Sequence, residues 1–150
     1  MEELGAQYCV IGGLAVNAYA EPVVSLDLDV VIALDDTEAV CQRAAAAGLS
    51  IERFEHRLNL ASSDSDLRIQ LQTDTRYQAY PPRATQKKVL GYTMRVASIA
   101  DVLQGKTWAY LDETRRRSKR QKDLADIMRL VEQYPELKEL LPHSVQALVG

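Results

Sequence analysis

Asp27 and Asp29 stand two residues apart inside an apolar run, Leu26-Asp-Leu-Asp-Val-Val-Ile-Ala33. On a strand, side chains two apart share a face, so Ser25, Asp27, Asp29 and Val31 point one way while Leu26, Leu28, Val30 and Ile32 point the other. The two carboxylates then stand side by side with Cα atoms roughly 6.5–7 Å apart, close enough to converge on one divalent cation or a closely spaced pair. Left unneutralised on an apolar strand, two like charges oppose folding, so the pattern asks for a hard cation with oxygen ligands, magnesium or manganese. Gly12-Gly13, directly after the apolar Val10-Ile11, supplies a complementary part. A glycine pair between a strand and a helix lets backbone approach a phosphate, and the first N–H groups of the helix face the anion. Carboxylates for a metal and glycines for a phosphate, thirteen residues apart, together describe a site for a nucleoside triphosphate.

A third candidate lies far along the chain. A helix opening at Ser98 has an apolar stripe of Ile99, Val102, Leu103 and Tyr110, and Lys106 falls on that stripe. A buried ammonium is costly without a partner. Lys106 therefore either snorkels to solvent or meets a triphosphate or a carboxylate at the site. Asp123 and Asp126, one turn apart on a later helix, are placed to steady Lys106 or the basic block beside them, though exposed pairing on the helix surface accounts for them almost as well. That block, Arg115-Arg-Arg-Ser-Lys-Arg-Gln-Lys122, holds six cations and no anion.

Positioning these residues requires alternating strands and helices. The sequence predicts strands over Gln7 to Ile11, Leu26 to Leu34, Leu49 to Phe54, His56 to Ala61, Asp66 to Thr73 and Gly91 to Ala97. Helices are predicted over Leu14 to Tyr19, from Asp35-Asp36-Thr37 to a stop at Gly48, from Ser98 with Asp101 completing a capping-box-like pair, and over Arg116 to Tyr134. The last should pack Leu124, Ile127, Met128 and Val131 inward. Ser62 to Ser65 reads as a loop, and Arg76 to Lys88, with Pro81-Pro82, as a loop or irregular helix over one edge of the site. The segment Asp66 to Thr73 alternates strictly and is the natural neighbour of the Asp27 strand, presenting Asp66, Arg68, Gln70 and Gln72 on one face.

The first motif resembles the signature of the DNA polymerase β nucleotidyltransferase superfamily, Gly-Gly or Gly-Ser followed by Asp-x-Asp, and within it the minimal nucleotidyltransferase and AbiEii toxin type. Gln104-Gly-Lys106-Thr-Trp-Ala109 resembles the toxin group's Lys-x-x-Ala motif and Asp123-Leu-Ala-Asp126 its Asp-Leu-x-Asp motif, so the likeness runs from about residue 8 to 131. Val23 and Ser25 stand where such proteins often carry arginine and threonine. The resemblance implies an α/β fold, a small mixed sheet with packed helices and a helical C-terminal part from about residue 98, all in one unit over 1–150. It implies transfer of a nucleoside monophosphate from a nucleoside triphosphate to an acceptor hydroxyl on RNA, protein or a small molecule. Asp27 and Asp29 would hold Mg2+ or Mn2+, Gly12 and Gly13 would cradle phosphates, and Lys106 would stabilise charge on the nucleotide. The superfamily's third carboxylate, a further metal ligand that helps activate the acceptor hydroxyl, would be Asp66 if the functional position lies at the start of its strand, whereas the middle of that strand offers Gln70. The alternative implied is a catalytically weak, nucleotide- or partner-binding component of a toxin–antitoxin pair.

Composition fits one ordinary globular domain: 150 residues, 47% hydrophobic and 26% charged. No apolar run reaches the roughly 18–20 residues of a membrane helix, and the acidic start is unlike a signal peptide, which predicts a cytoplasmic protein. The net charge of −3 is uneven, because outside the basic block twelve cations face twenty-one anions. Such a block on an acidic body suits a phosphate-bearing partner, RNA or nucleotide, or a solvated helix face. Cys9 and Cys41 lack metal spacing and read as buried thiols. His56 and His143 have no nucleophile nearby, and Trp108 and Tyr110 read as core.

Overall fold

Tyr8–Ile11 (β1) is buried at every position, as a strand covered on both faces must be. It opens a computed structural model that describes residues 5–20, 25 and 27–149. Leu26, predicted as the strand residue before Asp27, lies outside them. After β1 come α1 (Gly12–Tyr19), β2 (Asp27–Ile32), α2 (Thr37–Ala46), β3 (Ser50–Arg53), β4 (Arg57–Ala61) and β5 (Arg68–Gln72). Then follow β6 (Thr85–Val89), β7 (Tyr92–Val96), α3 (Ile99–Leu111), α4 (Arg117–Gln133) and the short α5 (His143–Gln146). The strands form one mixed sheet in the order β3-β4-β5-β2-β1-β7-β6. β2 pairs with β5, and β1 with β7, in parallel, while the remaining neighbours are antiparallel. This is the α/β architecture expected.

The core lies where α1, α3 and α4 meet the central strands. Val10, Val16, Val30, Val31, Leu71, Val96, Ile127 and Leu130 are fully buried there. No helix among the described residues is long and apolar enough to cross a membrane. Both cysteines are free and buried.

Three local expectations are corrected. The segment Arg76 to Lys88, read as a loop or irregular helix, does hold the 3-10 turns Thr75–Tyr77 and Pro81–Arg83, but its last part is an edge strand, β6. Leu90 and Gly91 join it to β7 with φ of 54° and 83°. Two left-handed residues make the type I′ turn whose twist matches a hairpin. On α4, Met128 is 37% exposed, and Leu130 takes an inward place beside Ile127 and Val131, because the helix also turns Asp123 and Asp126 inward. Asp101 does not complete a reciprocal cap. Its N–H donates to Ser98 Oγ at 3.2 Å, but its carboxylate accepts two bonds from Arg83, from Nε at 2.9 Å and Nη2 at 2.8 Å. That pair ties the Pro81–Arg83 turn to α3.

Candidate active site

Register decides which acids and amides meet. β1 places Ile11 opposite Asp29, so the chain enters α1 immediately beside that carboxylate. Gly12 makes this possible. Its φ is +74°, and a Cβ there would overlap Asp29 Oδ2, so the first glycine clears space for an acid rather than only for a phosphate. A Cβ at Gly13 would stand 3.6 Å from Ser25 Oγ, an ordinary contact. On the other side of β2, β5 places Arg68 opposite Asp27 and Gln70 opposite Asp29.

These elements enclose a cleft of about 270 Å³ lined by Gly12, Gly13, Asp27, Asp29, Gln70, Lys106 and Asp123, with Arg57, Arg115, Lys119 and Lys122 completing its charged wall. Both candidate carboxylates, both glycines and the lysine are thus brought together. Asp66 is not part of this wall. It lies two residues before β5, exposed, and lines a separate open cavity of about 490 Å³ with Ser65, Arg68 and Asp27. Asp27 belongs to both.

Asp29 carries the electrostatic strain of the site. Burial pushes its carboxyl up to about 6, against the pull of Lys106, and Asp27 pushes the same way as burial. Although the residue is partly exposed, its Oδ1 is buried without a hydrogen-bond partner, a cost normally met by a ligand. Among the described residues no group of three or more His, Cys, Asp or Glu side chains gathers around a point. The donor set is therefore two carboxylates with one orphaned oxygen. It fits a hard cation that takes its other oxygens from phosphates and water, the habit of magnesium in phosphoryl-transfer sites.

Lys106 does not snorkel. It is 9% exposed, with Nζ 2.9 Å from Asp126 Oδ2 and 3.2 Å from Asp123 Oδ1. Arg115 donates to Asp123 from Nε at 2.7 Å, and Arg129 donates to Asp126 from Nη2 at 2.7 Å. Burial raises the Asp126 carboxyl, but Lys106 and Arg129 outweigh it and hold the group below its ordinary value. The basic block divides. Arg115, Lys119 and Lys122, spaced i, i+4, i+7, line the cleft, whereas Arg116 and Arg117 are exposed and Arg120 donates to the Tyr110 carbonyl at 2.7 Å.

Sequence reasoning missed Arg57, which β4 places opposite Gln72, and Tyr77 from the 3-10 turn, both on the cleft wall. A strand alternation gives no sign of Arg57's role until pairing is known. Lys119 and Lys122, one turn apart on α4, belong to the basic block the sequence already marked, and Arg115 reaches the same wall from just before the helix. Trp108 stacks on Tyr80 and meets Tyr77 edge-on, with centroids at 6.2 and 5.6 Å, so it packs against the wall behind Tyr77. His56 and His143 are both exposed, outside the cleft.

The family described as "Nucleotidyl transferase AbiEii toxin, Type IV TA system" matches residues 2–149. The chain belongs to the AbiEii nucleotidyltransferase family. Among curated proteins none matches it. Among solved structures, nucleotidyltransferase folds recur. ANT(2")-Ia in complex with adenylyl-2"-tobramycin superposes with a TM-score of 0.67 at 12% identity, covering 99% of this chain and 89% of that one. The lincosamide antibiotic adenylyltransferase LnuA, lincomycin-bound, gives 0.59 at 14% identity over 86% and 90%. An antigenic nucleotidyltransferase-like protein from Paracoccidioides brasiliensis gives 0.58 at 18% over 97% and 82%. At these identities the likeness shows the AbiEii member's nucleotidyltransferase fold.

Proposed function

We propose that this chain, acting as one unit over residues 1–150, transfers a nucleoside monophosphate from a nucleoside triphosphate to an acceptor hydroxyl in the cytoplasm. The observation that carries the reading is the Asp27–Asp29 pair, with its orphaned buried Oδ1, in a cleft whose wall bears five cations. The N–H groups at the start of α1 and the Lys106, Arg115, Lys119 and Lys122 side chains hold the triphosphate. Asp27 and Asp29 would hold Mg2+ or Mn2+, which would supply positive charge against the charge developing on the phosphates. The acceptor enters through the second cavity, which shares Asp27 with the cleft. Its oxygen attacks the α-phosphorus, the bond to the β-phosphate oxygen breaks, and pyrophosphate leaves on the cationic side. Asp66, which shares that second cavity with Asp27, takes the acceptor's proton in this reading.

The test is incubation with labelled nucleoside triphosphates, Mg2+ or Mn2+, and total cellular RNA and protein. Incorporation of label supports the reading; saturable binding without incorporation supports a catalytically weak partner-binding component of a toxin–antitoxin pair. That second reading draws on one observation, the amide of Gln70 directly opposite Asp29. Asp66→Asn tests the proton acceptor within the transferase reading. It is expected to lower turnover about 100-fold, the usual worth of a general base, with nucleotide affinity nearly intact in equilibrium dialysis. Full activity in that variant removes Asp66 from the mechanism.

The divided basic block gives a further expectation. Replacing Lys119 and Lys122 by Gln weakens triphosphate binding and flattens its salt dependence, since exposed charges act through screened attraction. Replacing Arg116 and Arg117 by Ala leaves the nucleotide untouched and weakens only a polyanionic acceptor such as RNA. Titrations at two ionic strengths with each ligand check both. Equal effects of the two variants on nucleotide binding would show that the block acts as one undivided surface.

A further inference from the structure

Behind Lys106 lies a chain of charges that no transferase step needs directly. Arg129, on α4, donates from Nη2 to Asp126 Oδ1 at 2.7 Å and from Nη1 to Asn17 Oδ1 of α1 at 3.2 Å. Asp126 in turn holds Lys106 at 2.9 Å, Lys106 holds Asp123 at 3.2 Å, and Arg115 closes the chain on Asp123. Asp123 and Asp126 are 1% and 3% exposed. Two buried carboxylates facing Lys106 alone would over-neutralise it and draw its ammonium into the protein. With Arg115 and Arg129 also present, three cations meet two anions, and two of those cations, Lys106 and Arg115, line the cleft. Asn17 belongs to the helix that begins at Gly12, so the same guanidinium links α1, α3 and α4 behind the phosphate-facing surface.

We infer that Arg129, braced by Asn17, is a positioning residue that acts through Asp126 to hold the Lys106 ammonium at the cleft, an inference that rests on the nucleotide-binding reading above. A purely structural arginine would affect nucleotide binding whether or not Lys106 is present; a positioning one would not. The decisive measurement is therefore a double-mutant cycle with radiolabelled ATP and GTP and Mg2+. Arg129→Gln is expected to weaken nucleotide binding about tenfold in the wild-type background and less than about twofold in a Lys106→Met background. Arg129→Lys should recover part of the loss, because it restores charge without the fork. Equal losses in both backgrounds would overturn the inference.

A second readout uses no nucleotide. Acetylation of Lys106 by an N-hydroxysuccinimide ester, followed peptide by peptide with mass spectrometry, should be several-fold slower in Arg129→Gln, because the less neutralised Asp126 draws the ammonium inward and favours its charged form. An unchanged rate would count against the inference as firmly. If wild-type protein binds neither nucleotide, the transferase reading fails while the labelling rate still decides the network. Should Arg129→Gln not fold, Asn17→Ala removes the bond from Arg129 to α1, and it is expected to shift both readouts in the same direction by less.

Discussion

Asp29→Asn is expected to abolish metal-dependent transfer and, without metal, to stabilise the folded protein at pH 8. The two effects have one origin. Burial pushes the Asp29 carboxyl up to about 6 in the fold, against an ordinary value of 3.8. Between those values the native state binds the proton and the unfolded state does not, so stability falls as pH rises through that window and stays lowered above it. Discounted for the partial exposure of the residue, the cost at pH 8 is about 2 kcal/mol. An amide carries no such penalty. Asp29→Asn should thus melt roughly 4–8 °C higher than wild type at pH 8, the size expected for a protein of this length. The two should converge below pH 4, where wild-type Asp29 is protonated in both states.

Metal reverses the order. A cation on Asp27 and Asp29 stabilises only the wild type, since ligand binding to the native state adds to its stability. Thermal scans at pH 4 and pH 8, with and without Mg2+ and nucleotide, together with the incorporation assay, check every part of this. Retained transfer in Asp29→Asn, or in the companion Asp27→Asn, would end the metal-site reading.

Much of this site was legible before any coordinates. Asp27, Asp29, Gly12, Gly13 and Lys106 do share one cleft, because alternation on a strand and stripes on a helix are local rules that packing here obeys. What stayed hidden depends on pairing between distant segments. Thr85-Gln-Lys-Lys-Val89 carries no apolar alternation, as a largely exposed edge strand need not, and only its hairpin with β7 makes it a strand. The start of β5 at Arg68 likewise follows from its parallel register with β2. A shift of two residues would have put Asp66 opposite Asp27, and nothing within the segment Asp66 to Thr73 distinguishes the two registers. The same limit applies to Lys106. Its place on an apolar stripe signalled an unusual lysine and Asp123 and Asp126 were candidates to steady it, but choosing that over pairing on the helix surface needed the packing of α3 on α4.

The division of labour within the glycine pair was also beyond the sequence, and it yields the second large effect. Gly12→Ala is expected to cut transfer by at least about 100-fold and to destabilise the protein by about 2 kcal/mol, the left-handed backbone alone costing 1–2 kcal/mol for a residue with a Cβ. The rest comes from crowding, since a Cβ at Gly12 overlaps Asp29 Oδ2 and either the carboxylate or the start of α1 must move. Both movements injure the same place, where a metal-holding oxygen meets the N–H groups that face phosphate. Gly13→Ala should behave differently. Its Cβ meets Ser25 Oγ at 3.6 Å without strain, so the fold should keep its melting temperature. Any effect should appear in the nucleotide KM, with kcat near wild type, because only the approach of phosphate to backbone is hindered. Melting curves and steady-state kinetics of the two variants side by side test the assignment. If Gly13→Ala proved the more destabilising of the two, the close approach of Gly12 to Asp29 would not be what this turn requires.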